Sequence, residues 1–325
     1  MTERLSLAVP SKGRLEEQVN ALFAAADVPL QRDGSRGYRG QLKGLLEVDL
    51  IYLSASEIAT RLGEGAIHLG VTGEDLIREE IPDVESRVVL LQELGFGHAN
   101  VVVAIPDAWI DVTHMADLAE VAGDFRQRHG HRLRVATKYI QLTQDFFATH
   151  GITDYTIVQS FGATEGAPSS GAAEAIVDIT STGATLVANQ LRVPEDGVIL
   201  KSQANLAASL EANWSSGVRD AAWQLFYRLE AYLRAQKQVE ICFPLARGDH
   251  SWLHDMMSQT QAHALHDMET ERAETARLLV HANRLPEISQ KLHQRGKSIV
   301  SAQPASRIFS AESELFATLS ARLPH

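Results

Sequence analysis

The stretch Leu5-Ser-Leu-Ala-Val-Pro-Ser-Lys-Gly-Arg-Leu-Glu-Glu-Gln-Val-Asn-Ala-Leu-Phe-Ala-Ala-Ala26 carries two periodicities in succession. Leu5 to Val9 is a short apolar run of strand length. From Arg14 to Ala26 the apolar residues Leu15, Val19, Leu22, Phe23 and Ala26 recur at helical spacing. The unit then repeats. Val48 to Leu53 predicts a second strand, Ser56 to Leu62 a helix, and Ile67 to Thr72 a third strand with a helix opening near Gly73. Strands alternating with amphipathic helices predict an α/β fold, a parallel sheet covered by helices.

Further along, strands are expected at Val88–Leu91 and Val101–Ile105, joined through Gly95-Phe96-Gly97. Glycines between two strand runs suit a hinge where the chain crosses into a second lobe. That lobe takes a helix near 115–128, a strand at 133–136, a helix at 141–150, a strand at 155–159 and the run Val177-Asp178-Ile179, then a helix at 185–191. A long helix is expected from Gly217 to Gln238. Beyond it the order is strand 239–245, helix 251–259, strands 262–268 and 276–282, helix 285–294 and strand 298–302. This βαββαβ order is that of a ferredoxin-like module. The expected layout is a first lobe from residues 1–97 and 187–238, a second lobe from 98–186, and a C-terminal ferredoxin-like domain over 239–325.

The composition narrows the function. Thirty Lys and Arg against 41 Asp and Glu give a net charge of −11. Such an excess repels a phosphate backbone and speaks against a general nucleic-acid binder, while leaving room for a local basic pocket. The N-terminus has no apolar signal core, and no run approaches the roughly 18 apolar residues of a membrane span. The one cysteine, Cys242, has no internal partner, which fits a reducing cytoplasm, and it is expected to be a buried packing residue. His250 and His254 lie four apart on a predicted helix, but nothing supplies a third ligand, so no protein metal site is expected.

Four turns carry the candidate chemistry. In Ala175-Ile-Val-Asp-Ile-Thr-Ser-Thr-Gly-Ala-Thr-Leu186 an apolar strand delivers Asp178. Ser181, Thr182, Gly183, Ala184 and Thr185 then form a hydroxyl-rich turn at a helix start. Hydroxyls and free backbone N–H groups there suit a terminal phosphate, and Gly183 lets the backbone approach an anion closely. No lysine follows the glycine, so the turn is not a Walker A loop. A carboxylate just upstream suits a sugar phosphate, the turn taking the 5-phosphate and Asp178 the ribose hydroxyls. Glu165 lies among small residues in Gly162-Ala-Thr-Glu-Gly-Ala-Pro168. Lys12, Gly13 and Arg14 follow the first strand, and Gly73 to Asp75 follow the third, where ligands of open α/β sheets bind. Taken singly, the 178–185 turn reads equally well as a capped turn, and the Glu165 and Lys12–Arg14 loops read more readily as solvated loops.

Taken together, these segments resemble ATP phosphoribosyltransferase, the family that opens histidine biosynthesis. The matching runs are Pro-Ser-Lys-Gly-Arg-Leu (10–15), Gly-Val-Thr-Gly-Glu-Asp-Leu (70–76), Arg-Val-Ala-Thr-Lys-Tyr (134–139), Gly-Ala-Thr-Glu-Gly-Ala-Pro (162–168) and Val-Asp-Ile-Thr-Ser-Thr-Gly-Ala-Thr-Leu (177–186), closed by Ala188-Asn189. The resemblance implies a two-lobed type II periplasmic-binding-protein-like core and a condensation of ATP with 5-phosphoribosyl 1-pyrophosphate (PRPP). It implies that Ser181 to Thr185 hold the PRPP 5-phosphate and that Asp178 and Glu165 face the ribose, with Lys12 also at the reacting groups. Gly13, Arg14, Gly73 and Asp75 would line the ATP and pyrophosphate side. Mg²⁺ would be carried by substrate phosphates.

One departure stands out. Many relatives carry an Arg-Pro-x-Asp segment where this chain has Ser54-Ala-Ser-Glu-Ile-Ala59. Arg36 or Arg39, in Gly34-Ser-Arg-Gly-Tyr-Arg-Gly40, is expected to serve the pyrophosphate instead. The core resembles the family's short form, which works with a histidyl-tRNA-synthetase-like regulatory subunit. The extra C-terminal domain resembles in element order the regulatory domain through which histidine inhibits the long form. The resemblance implies hexamers for the long form and hetero-octamers for the short, and a homo-oligomer, dimer or hexamer, is expected here. A catalytically weakened regulatory subunit and a non-catalytic solute-binding protein of the same fold are the competing readings.

Overall fold

The computed structural model describes residues 4–34, 37–160, 162–246, 248–265, 275–299 and 301–323. The chain begins with β1 (Leu5–Pro10), α1 (Gly13–Ala25), β2 (Leu30–Arg32), β3 (Arg39–Leu42), β4 (Leu45–Leu53), α2 (Ala55–Gly63), β5 (Leu69–Gly73), α3 (Glu74–Glu80), α4 (Val84–Arg87) and β6 (Val88–Glu93). It then crosses into β7 (Ala99–Pro106), α5 (Met115–His129), β8 (Leu133–Thr137), α6 (Ile140–Thr149), β9 (Tyr155–Gln159), β10 (Ala175–Thr180), α7 (Ala184–Ala188), β11 (Leu191–Arg192) and β12 (Val198–Ser202). It returns through β13 (Ala204–Ser209) into α8 (Ser216–Gln236).

The first sheet runs β2-β3-β4-β1-β5-β13-β6. β4, β1 and β5 are parallel, and the returning β13 is antiparallel to both β5 and β6. In the second sheet β9-β8-β10 are parallel, β7 joins β10 antiparallel, and β11 and β12 pair with β7. Each lobe thus places an antiparallel strand from the crossing segments beside three parallel ones. This is the strand order of the type II periplasmic-binding-protein fold.

Both faces of the first sheet are covered, as a parallel sheet requires. Side chains alternate along β1. Leu5, Leu7 and Val9 pack with α1 and α8, while Ala8 packs with α2 on the opposite face.

Two boundaries differ from expectation. The chain does not re-enter the first lobe at residue 187, because β11 and β12 extend the second sheet and only β13 re-enters the first. Backbone pairing, not the end of a helix, sets that boundary. The C-terminal domain is also shorter than 239–325. Its β14 (Gln238–Pro244), α9 (His250–Thr260), β15 (His263–Ala264), β16 (Thr275–His281), α10 (Leu285–Gln294) and β17 (Ser301–Pro304) form an antiparallel sheet of order β15-β16-β14-β17, the ferredoxin-like arrangement. Part of the strand expected over 262–268 lies outside the described residues. Cys242 is half-buried rather than buried, since Ile241 and Phe243 on either side take the core-facing positions of β14.

Residues 305–323 leave this domain and run back along α8. The Ile308 N–H donates to the Ala231 carbonyl, and Arg307 donates to Asp27 Oδ2 (2.8 Å) and the Ala25 carbonyl at the end of α1. The run ends in α11 (Glu314–Ser320), whose Leu315 and Leu319 belong to the first-lobe core. Buried Glu230 of α8 accepts from the Leu315 N–H (3.0 Å) at the start of α11, and Ser313 caps the same helix. A carboxylate satisfying helix N-terminal donors is favourable.

The last helix is therefore part of the first lobe's packing. Leu319→Ala should cost about 2–5 kcal/mol in urea unfolding of the first lobe, although residue 319 lies beyond the ferredoxin-like module. Inside that module, burial acts to raise the Asp249 carboxyl. Lys297 Nζ (2.6 Å), the Ala246 N–H (2.7 Å) and Arg295 (3.3 Å) outweigh it and hold the group below its ordinary value. A depressed acid stabilises the fold above its unfolded pKa, near about 3.9, and that contribution is lost as pH falls through the folded value. Asp249→Asn should flatten the acid limb of the C-terminal domain's melting profile below about pH 4.

Candidate active site

The parallel strands of both lobes end at the loops singled out in the sequence. β1 runs into Ser11 to Arg14, β8 into Lys138 and Tyr139, β9 into Gly162 to Glu165, and β10 into Ser181 to Thr185. The 180–185 turn is open to solvent: Ser181, Thr182, Ala184 and Thr185 are exposed, and Asp178 and Gly183 are half-buried. Its shape comes from its own polar groups. Thr180 Oγ1 accepts from the Gly183 N–H (2.9 Å), and Asp178 Oδ1 accepts from the Ile179 N–H (2.8 Å). Gly183 sits at φ 77°, left-handed backbone that a side chain would strain. α7 is one short turn of helix, so hydroxyls and turn N–H groups, rather than a long helix dipole, are what the loop offers an anion.

The crossing segment between β6 and β7 touches the loops of both lobes. Ser181 Oγ donates to the His98 carbonyl (2.8 Å). Next to it, Gly97 lies so close to Leu15 that an added Cβ would stand 3.2 Å from Leu15 Cδ1. The Lys12–Leu15 segment and the 180–185 turn therefore flank the same Gly97-His98 backbone. Lys12, Gly13 and Arg14 are exposed, with Gly13 at φ 79°. Glu165, half-buried, sits in a 3₁₀ turn behind Ala163, whose φ of 49° is left-handed. Thr164 Oγ1 donates to Ser160 Oγ (2.9 Å) to fix that turn.

Asp75 is placed otherwise than expected. It is buried, and both its carboxylate oxygens are taken. Ser202 Oγ donates to Oδ1 (2.8 Å) and accepts from the Asp75 N–H (3.0 Å), while the Tyr139 hydroxyl donates to Oδ2 (2.7 Å). Asp75 is a joint between the lobes, its carboxylate held by Ser202 and Tyr139 of the second lobe. Gly73, half-buried, must be a glycine for this joint, since an added Cβ would stand 2.3 Å from Asp75 Oδ1. Burial, reinforced by the Asp75 and Asp178 carboxylates, pushes the Tyr139 phenol far above its ordinary value, so it keeps the proton that it donates to Asp75.

A second joint lies one turn along α3. Glu79 accepts from the Gln141 (3.0 Å) and Leu142 (3.1 Å) N–H groups that open α6. Burial raises the Glu79 carboxyl despite these bonds.

Of the two arginines expected to replace the missing one, Arg36 lies outside the described residues, and Arg39 is exposed on β3. Sequence reasoning assigned no role to Arg32, Ser202, Glu79 or Tyr139. Tyr139 lay within a recognised motif, while the others carry no local signal because their partners are distant in the chain. Among the described residues no helix is long and apolar enough to cross a membrane.

Fold and loops together define a two-lobed α/β protein with an open, hydroxyl-rich turn directly after Asp178. The family model for ATP phosphoribosyltransferase matches residues 54–231. ATP phosphoribosyltransferase of Bradyrhizobium sp. (strain ORS 278) is 60% identical over 242 residues, 74% of each chain. That of Nitrobacter hamburgensis is 49% identical over 329 residues, 99% of each chain. Among solved structures, the ATP phosphoribosyl transferase (HisG:HisZ) complex from Thermotoga maritima aligns at TM-score 0.53 with 24% identity, covering 70% of this chain and 96% of that one. The chain belongs to the ATP phosphoribosyltransferase family, the pentosyltransferases of the first step of histidine biosynthesis.

Removing the Ser202 hydroxyl leaves two buried polar atoms of Asp75 without a partner. Ser202→Ala should lower stability by about 1–3 kcal/mol in urea titrations. An unchanged midpoint would mean that the joint does not bear on the fold.

Proposed function

We propose that this chain condenses ATP with PRPP through the loops that flank Gly97 and His98. The exposed turn from Ser181 to Thr185 takes the 5-phosphate on its N–H groups and hydroxyls. Asp178 and Glu165 face the ribose, and Lys12, Gly13 and Arg14 attend the nucleotide and pyrophosphate. The observation that carries this reading is the open turn immediately downstream of Asp178, tied by Ser181 to the backbone beside the Lys12–Leu15 segment.

In the reaction adenine N1 forms a bond to the anomeric carbon as the bond to pyrophosphate breaks, with inversion. N1 carries no proton at neutral pH, so no general base is assigned. The anomeric centre develops oxocarbenium-like charge, which carboxylates at Asp178 and Glu165 stabilise, as in glycosyl transfer generally. The same carboxylates are hard oxygen donors and fit a Mg²⁺–phosphate complex, which when bound neutralises the leaving pyrophosphate.

The ferredoxin-like module is the part of the chain through which histidine would inhibit. Its attachment to the first lobe through both α8 and residues 305–323 supports this reading. A homo-oligomer and a histidyl-tRNA-synthetase-like partner are the two assemblies proposed, with the cytoplasm as the compartment.

The test follows absorbance as N1-phosphoribosyl-ATP forms from ATP, PRPP and Mg²⁺. Thr185→Val should weaken PRPP binding by about 1.5–3 kcal/mol, the value of a hydrogen bond to a charged group. Asp178→Asn should lower kcat/KM for PRPP while sparing ATP affinity. Parental constants in both variants would show that the ribose phosphate binds elsewhere.

A further inference from the structure

Arg32 stands where β2 crosses toward the first loop of the site, and its surroundings are specific. Its guanidinium lies 3.8 Å over the ring of buried Tyr52 on β4. One terminal nitrogen serves two oxygens, donating to the Ser11 carbonyl (3.1 Å) and pairing with Glu16 Oε1 (3.1 Å). Both Arg32 and Glu16 side chains are only 22% exposed, so solvent screens this contact less than a surface pair. Gly40 makes the placement possible. It sits opposite Arg32 in the β2–β3 register, and a Cβ there would stand 2.3 Å from the Gln31 carbonyl oxygen.

Arg32 Nε is buried and, among the described residues, has no acceptor. An arginine held at that cost is one whose other contacts matter. Those contacts bear on the Ser11–Arg14 loop from both sides. The hydrogen bond to Ser11 fixes the carbonyl directly before Lys12. The ion pair neutralises Glu16, an acid in the first turn of α1. Left unpaired, that carboxylate would repel any polyphosphate brought to Lys12 and Arg14.

We propose that Arg32 is the positioning residue of the Lys12–Arg14 loop, taking the place in this chain of the arginine absent at Ser54. It does so by bracing the loop and cancelling Glu16, without touching substrate. The proposal rests on the reading of that loop as the nucleotide and pyrophosphate side.

The experiment measures kcat and both KM values for Arg32→Ala, Arg32→Lys, Lys12→Ala, Arg39→Ala and the double variant Glu16→Gln/Arg32→Ala, with melting curves for each. Arg32→Ala should raise the KM for ATP or PRPP by about tenfold, more at low salt, with a smaller change in kcat. Adding Glu16→Gln should recover part of the loss. Free guanidinium ion at millimolar concentration should recover more of it, and Arg32→Lys should fall between Arg32→Ala and the parent. If Lys12→Ala is impaired while Arg32→Ala keeps parental KM values, the role of Arg32 is refuted and the loop reading stands. Parental constants in both variants would refute the loop reading, and the proposal with it. An Arg32→Ala defect that neither Glu16→Gln nor guanidinium relieves, accompanied by a lowered melting temperature, would show a purely structural arginine and also overturn the proposal. A tenfold rise in KM for Arg39→Ala with none for Arg32→Ala would assign the missing arginine's place to β3.

Discussion

Two carboxylates on one short helix fix how the halves of the catalytic core meet. Asp75 takes the Tyr139 and Ser202 hydroxyls, and Glu79 takes two backbone N–H groups at the head of α6. The lobes otherwise have separate apolar cores, with Leu76 of the same helix packed against both. Their relative position thus depends on a few directional bonds, those of Asp75 buried and those of Glu79 partly exposed, rather than on a broad greasy interface. Such bonds are strong where water is excluded and costly to leave unmade. The joint lies beside the crossing segment, where the Glu74 N–H also donates to the Gln203 carbonyl.

Much of this was written in local patterns. The βαβ rhythm from Leu5 onward, the Gly95–Gly97 crossing and the βαββαβ order of the tail are periodicities that a single chain displays directly. The joint was not legible, for a physical reason. Asp75 follows a strand end in a glycine-bearing turn, the setting of a ligand-facing acid. Its actual role is decided by Tyr139, 64 residues away, and Ser202, 127 residues away. Composition near Asp75 does not encode either. The same holds for Arg32, which looks like an ordinary polar residue of a three-residue strand until Tyr52 and Glu16 are brought beneath and beside it.

The boundaries were missed by the same route. Val198–Ser202 has strand character, but which sheet it joins is a matter of pairing, and it pairs with β7. Leu315 and Leu319 show helical spacing over too short a run to announce a partner. Their partner is the first-lobe core, reached across the whole ferredoxin-like module.

That return path ties the end of the chain to α1 of the first lobe. α1 is held at its C-terminal end by Arg307, which bonds Asp27 and the Ala25 carbonyl, a favourable place for a cation at a helix terminus. It is held at its N-terminal end by Arg32, through Ser11 and Glu16. The first grip belongs to the strap from the module, and the second to the loop that carries Lys12 and Arg14. α1 is thus bonded at one end to the segment that returns from the ferredoxin-like module and at the other to Arg32 of β2, so a single helix connects the two contacts.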